Sequence, residues 1–174
     1  MKRIRAVCVV LVLVLLLGLL AVGCKKPEQK SEYLLAVENY YAAIRDNDFS
    51  KWQKAMPSQV LDALGMNAAD LSGENRTYSG RFGDGFTISV KEKGSRQLNE
   101  KQLGDLAEYL RRDYGITDKI KDAYLAEFDV TMAGSNDKQT VPHAHVVYQL
   151  GDAWYMDLWA DSEVSSINAL YYES

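Results

Sequence analysis

His143 and His145 are the only imidazoles in the 174-residue chain. They stand two apart in an alternating stretch, so on a β-strand both side chains leave the same face. Turn positions decide which face. With Gly134–Asp137 as one turn, antiparallel pairing sets Phe128 opposite His143 and Ala126 opposite His145. With Gly151-Asp152 as the next, Val147 falls opposite Met156 and His145 opposite Leu158. Both imidazoles then point with Tyr124, Phe128, Met156 and Leu158 toward the apolar interior, where a pocket would lie. The candidate ligand-binding side chains are Tyr124, Phe128, His145 and Trp154.

Two same-face imidazoles hold a metal only with a third ligand, usually a carboxylate. Acid/base chemistry equally needs a group that orients the ring. By the same counting, Glu127, Asp129 and Asp157 occupy the opposite face, and the first helix (Glu38, Asp46) is the other source of a carboxylate. No metal and no cofactor is therefore expected. The simplest expectation places one histidine in the core and the other near the sheet end. His145 and His143 are the candidate catalytic residues of an alternative reading as a small pocket enzyme.

The chain has eleven tyrosines, with Tyr40-Tyr41 and Tyr171-Tyr172 in pairs. A pocket lined with Tyr and Trp suits an amphipathic ligand such as a sugar or peptide, although Tyr33, Tyr41 and Tyr155 also fit a core. Gly80, Gly83 and Gly85 lack the preceding strand and following helix of a phosphate loop and read as a turn. No Gly-x-Ser-x-Gly elbow occurs. The two cysteines, Cys8 and Cys24, both precede Lys25, so the rest of the chain has no disulfide, no CxxC site and no thiol nucleophile.

These side chains must be carried by helices first and a sheet last. Ser31 reads as the N-cap of a helix with Leu34, Val37, Tyr41 and Ile44 on one face. Asp48 caps a short helix carrying Phe49 and Trp52, and Pro57-Ser58 starts another, with Val60, Leu61 and Leu64, closed by Gly65. Residues 66–84, rich in Gly, Ser, Asn and Asp, read as an irregular loop. Phe86, Ile88 and Val90 mark a half-buried strand. Asn99 and Gln102 have capping-box spacing ahead of Leu103, Leu106 and Leu110, and Gly115 stops that helix. From Asp122 the period becomes two, through the turns at Gly134–Asp137 and Gly151-Asp152, which predicts an antiparallel meander and an α+β class. Trp159 alternates onto the face of Tyr155 and Asp157 as a candidate exposed patch.

The N-terminus is a separate matter. MKRIR is followed by Ala6 to Cys24 without a charge, nearly all Val, Leu and Ala. A basic segment, an apolar run and small boundary residues form the three-part pattern of a secretion signal. Ala21-Val22-Gly23-Cys24 resembles the lipobox of bacterial lipoproteins, with Ala21 where that family prefers Leu. The resemblance implies cleavage before Cys24 and a diacylglyceryl group on its thiol, which supplies the two chains that stable anchoring needs. The alternative is an uncleaved span, since nineteen residues at 1.5 Å each nearly cross ~30 Å of hydrocarbon. Lys25 and Lys26 on the outer flank oppose that orientation. The expected organisation is a signal peptide over 1–23, a lipidated Cys24 and tether over 24–30 (KKPEQK after the cysteine), and one domain over 31–174.

Lys2, Arg3 and Arg5 precede the apolar run; without them 17 of the 20 basic residues face 24 acidic ones, a net −7 against −4 for the whole chain. That balance argues against nucleic acid as a partner and against an adhesive basic face on anionic lipid.

VENYYAAIRDNDFSKW, DAYLAEFDVTMAG and the closing GDAWYMDLW, with Gly151, Trp154 and Tyr155, resemble the NTF2-like (cystatin-like α+β) superfamily, and more narrowly its small lipid-anchored bacterial domains. The resemblance spans roughly residues 31–160, and the helix between strands departs from the simplest members. It implies N-terminal helices packed on a curved antiparallel sheet, a roll that leaves a conical pocket. In that superfamily the pocket serves enzymes such as dehydratases and isomerases, typically with an Asp-His pair, or binds ligands and partners. The expectation is a noncatalytic domain, held at the extracytoplasmic side of the cell membrane through Cys24, that binds a small ligand or an envelope partner. A structural module that assembles through its sheet, as a homodimer, is a further alternative.

Overall fold

The computed structural model describes residues 31–172. The expected signal peptide, Cys24 and tether lie outside the described residues. Helix α1 (Leu34–Asp46) buries Leu34, Val37, Tyr41 and Ile44, the face that the spacing predicts. It ends at Asn47, whose φ of 51° turns the chain. The Asp48 carboxylate then accepts from the Ser50 amide at 3.0 Å and starts α2 (Phe49–Ala55). Helix α3 (Ser58–Ala63) follows Pro57; Val60 and Leu61 are buried, whereas Leu64 is exposed. Ser31 is not a cap. The Leu34 amide already bonds the Ser31 carbonyl, Tyr33 takes the capping position, and the Ser31 hydroxyl donates to Glu92 at 3.1 Å.

Residues 66–84 are not an irregular loop. Helix α4 runs over Ala68–Phe82. Its interior Gly73 and Gly80 each disfavour a helix by about 1 kcal/mol. Three features offset them. Asn67 and Asp70 form a reciprocal capping box, worth about 1 kcal/mol. Leu71 and Phe82 are buried, with Tyr78 packed beside them. The Asn75 amide donates to the Ile44 carbonyl at 2.8 Å, satisfying an orphan acceptor at the end of α1.

Strand β1 extends from Thr87 to Gln97, well past the Val90 end that alternation predicts. A bulge between Glu92 and Gly94 breaks the period there. Helix α5 (Glu100–Tyr114) has the Asn99–Gln102 capping box and stops at Gly115, at φ 69°. Strands β2 (Ile120–Ala133), β3 (Lys138–Leu150) and β4 (Ala153–Asp157) complete an open antiparallel sheet in the order β1-β2-β3-β4. The class is α+β. Short helices α6 (Ala160–Glu163) and α7 (Ser165–Asn168) and a 3₁₀ turn (Ala169–Tyr172) follow. Leu158 and Trp159 lie beyond β4, so neither extends its alternation; Trp159 is the residue before α6 and is exposed.

The meander pairs as the turn positions predict: Phe128 with His143, Ala126 with His145, and Val147 with Met156. One sheet face, carrying Phe128, His145, Val147 and Met156, packs under α1. The other, carrying Leu125, Val146 and Tyr148, is buried by α5 and the C-terminal helices. Burial is two-sided near residues 123–126, 145–148 and 156–157. Toward the β2–β3 turn the second face is solvated, with Glu127, Asp129 and Thr131 partly exposed.

Candidate functional site

Face-sharing between His143 and His145 follows from the two-residue period of β3. Their rings stack with centroids 5.7 Å apart and planes 20° apart. Helix α1 brings Tyr41 over them: its hydroxyl lies 3.4 Å from His145 Nε2, and its ring centroid lies 6.1 Å from that of His143. His145 is buried, and its Nδ1 has no hydrogen-bond partner among the described residues. Burial, then the neighbouring His143, depresses its pKa to about 4, and burial also lowers that of His143. Both imidazoles are neutral at pH 7. The Tyr41 phenol is pushed up by burial, so it too is uncharged.

No carboxylate is hydrogen-bonded to either imidazole among the described residues. The counting that removed Glu127, Asp129 and Asp157 from this face holds. Asp122 shares it at the far end of β2, where the Tyr124 hydroxyl donates to it at 3.0 Å, and so does Glu92, which pairs with Phe128 across β1. The latter went unrecognised because the strand was expected to end near Val90. Glu92 is engaged elsewhere, accepting from the hydroxyls of Ser31 and Tyr33. Asp46 is tied to Arg45 and Lys51. Among the described residues, no group of three or more His, Cys, Asp and Glu side chains is placed to hold a metal ion.

Two openings lie on this face: one of about 420 Å³ between α1 and β1, lined by Tyr41, Ile88 and Val90, and one between α4 and the outer half of the sheet, which His143 reaches. The opening at α4 has a volume of about 380 Å³, within the usual range for small-ligand sites. Its floor is Met132, Val141 and His143; Tyr78 and Phe82 form its aromatic wall, with Glu74, Thr77, Arg81 and Gln139 around the rim. Tyr78 is fixed by its neighbours, 5.9 Å from Phe86 and 6.1 Å from Phe82 between ring centroids. The far end of α4 is pinned to the β2–β3 turn. The Asn136 amide donates to the Phe82 carbonyl at 3.0 Å, and Gly134 comes so close that a Cβ there would sit 2.1 Å from the same oxygen.

His143 is thus the sequence-selected residue that reaches this groove. His145 lies beneath it, out of solvent. Phe128 is fully buried as core. Tyr124 and Trp154 meet at the other end of the face, ring centroids 5.9 Å apart, and with Tyr33 form an aromatic cluster, at 5.2 Å from Tyr124 and 5.7 Å from Trp154. The groove wall itself was missed. Its signal was present: Leu71, Tyr78 and Phe82 recur at steps of seven and four after an Asn67–Asp70 cap.

Asp157 sits behind the opposite face in a second polar cluster. Its Oδ1 accepts from the amides of Trp159 (2.8 Å) and Ala160 (2.7 Å) and from the Tyr109 hydroxyl (3.3 Å). Its Oδ2 and the buried Tyr148 hydroxyl have no partner among the described residues. Burial pushes the Asp157 carboxyl up, against those three hydrogen bonds. The arrangement caps the chain as it leaves β4 and is remote from the groove.

Comparison with protein-family models, with curated proteins and with solved structures yields no match for this chain. Among the described residues, no helix is long and apolar enough to cross a membrane.

Proposed function

We propose that the chain is a bacterial lipoprotein, held at the extracytoplasmic face of the cell membrane through lipid on Cys24, whose domain binds a small amphipathic ligand without transforming it. The groove between α4 and the β2–β3 floor is the observation that carries the binding role. It combines an aromatic wall, an apolar floor and a half-buried neutral imidazole. A noncatalytic role is supported by the histidine environment: a phenol and a second imidazole surround His145, and no carboxylate orients it. The NTF2-like assignment rests on sequence resemblance and is consistent with N-terminal helices lying on an antiparallel sheet. The lipid anchor rests on the Ala21–Cys24 motif.

Two experiments test the two halves. Intact mass of membrane-extracted protein should give a chain starting at a lipidated Cys24; an unlipidated chain starting at Met1 refutes the anchor. For the binding role, an NMR fragment screen should place its hits at His143, Tyr78 and Val141. Hits confined to other surfaces remove the groove as the site.

A further inference from the structure

The charges around the groove are not balanced along its length. At the end beside the β2–β3 turn, Arg81 is already engaged. Its guanidinium lies 5.2 Å over the Phe82 ring and 3.6 Å from an Asp137 carboxylate oxygen. Two helical turns earlier on α4, Glu74 has no hydrogen bond or ion pair among the described residues. Its charge is felt by Tyr40 and Tyr78, whose phenols are pushed up by burial first and by Glu74 second. The remaining polar lining groups, Thr77, Gln139 and neutral His143, carry no charge. An anion entering here meets an unpaired carboxylate, whereas a cation meets that carboxylate and electron-rich ring faces.

We propose that the groove selects an organic monocation with an aromatic or apolar body, its ammonium group beside Glu74 and its body on Tyr78, Phe82, Met132 and Val141. This rests on the groove being the binding site. Three features make the selection physical. The carboxylate lacks a counter-ion among the described residues, the aromatic wall is held rigid by Phe86, and Arg81 is occupied by Asp137 and so adds little attraction for an anion. Because Glu74 is exposed, the preference weakens as ionic strength rises.

The test uses three probes that share one body: phenethylammonium, 2-phenylethanol and phenylacetate. Each is titrated into the full chain in nonionic detergent, with the ring resonances of His143 as the readout. Phenethylammonium is expected to bind at least about tenfold more tightly than phenylacetate. Glu74→Gln should weaken phenethylammonium by about tenfold while leaving 2-phenylethanol unchanged. Phenylacetate binding as tightly as the ammonium, or an unchanged ammonium affinity in Glu74→Gln, overturns the cation preference and leaves the groove standing as a site. If no probe shifts His143 at about 10 mM, the groove and the preference fall together.

Discussion

Tyr41 and His145, drawn from the first helix and the third strand, meet at 3.4 Å between phenol oxygen and Nε2. The contact fixes α1 on the sheet but leaves His145 Nδ1 buried without a partner. A buried neutral imidazole makes folding sensitive to acid. The folded pKa of about 4 lies below the ordinary 6.5, so the unfolded chain binds more protons between those values. Stability contributed by neutral His145 is therefore complete above about pH 6.5 and is lost as pH falls toward 4, on the order of 3 kcal/mol. Urea unfolding at neutral pH and near pH 4.5 measures it. His145→Leu should flatten this dependence and lie within about 1 kcal/mol of the parent at pH 7. An equally steep loss in that variant places the acid sensitivity elsewhere.

Asp157 carries the opposite sign. Its folded pKa is raised, so the folded state holds this proton more tightly, and the stability associated with it declines as pH rises through that raised value. Asp157→Asn keeps an acceptor for the Trp159 and Ala160 amides and removes the buried charge, so it should be neutral to stabilising at pH 7. Asp157→Ala loses three hydrogen bonds and should lower stability by about 3 kcal/mol. Equal destabilisation by Asn and Ala in thermal melts would mean that the charge itself is needed.

Gly134→Ala tests the pinning of α4. Any Cβ at this position runs into the Phe82 carbonyl, a backbone atom that cannot rotate away. A loss of about 2 kcal/mol is expected in denaturant unfolding, together with faster amide exchange over the last turn of α4. Parental stability in the variant would contradict the close approach.

Asn67→Ala removes the other end of that support. The two bonds that the Asn67 side chain accepts are lost while the backbone N–H of residue 67 still donates to Asp70, and a loss of about 1 kcal/mol is expected. The readout is hydrogen exchange, which should rise over the first turn of α4 and stay unchanged in α5. Uniform protection across both helices would show that tertiary contacts, not the cap, hold the first turn.

Anchoring is tested separately. Cys24→Ala should leave the protein unlipidated and unprocessed at that site, with the domain released from its normal membrane fraction or retained only as an uncleaved precursor. Processing and fractionation identical to the parent contradict lipidation at Cys24.

Much of the scaffold was legible because its signals are short-range. The Gly134–Asp137 and Gly151-Asp152 turns fixed the β2–β3–β4 register by counting, and Asn99, Asp48 and Gly115 marked helix ends through side-chain and φ requirements. Helix α4 was hidden because composition and tertiary burial disagree in it: two glycines and several polar residues mask a stripe of only three large side chains. The extra length of β1 was hidden by its bulge, which shifts the alternation by one residue after Glu92; Glu92 itself continues the Ile88–Val90 alternation onto the histidine face. Half of the site was therefore read from His143 and its neighbours. The other half, the wall formed by Tyr78 and Phe82, depended on a helix whose stability comes mostly from what it packs against.

Filling the groove tests the binding role most directly. Thr77 is exposed on α4 and lines the opening without supporting the core, so Thr77→Trp should occupy the space above Val141 and His143 and leave the fold intact. Fragments that shift His143 in the parent should bind at least about tenfold more weakly in this variant at unchanged melting temperature. Undiminished affinity in a folded Thr77→Trp protein would contradict the groove as the binding site.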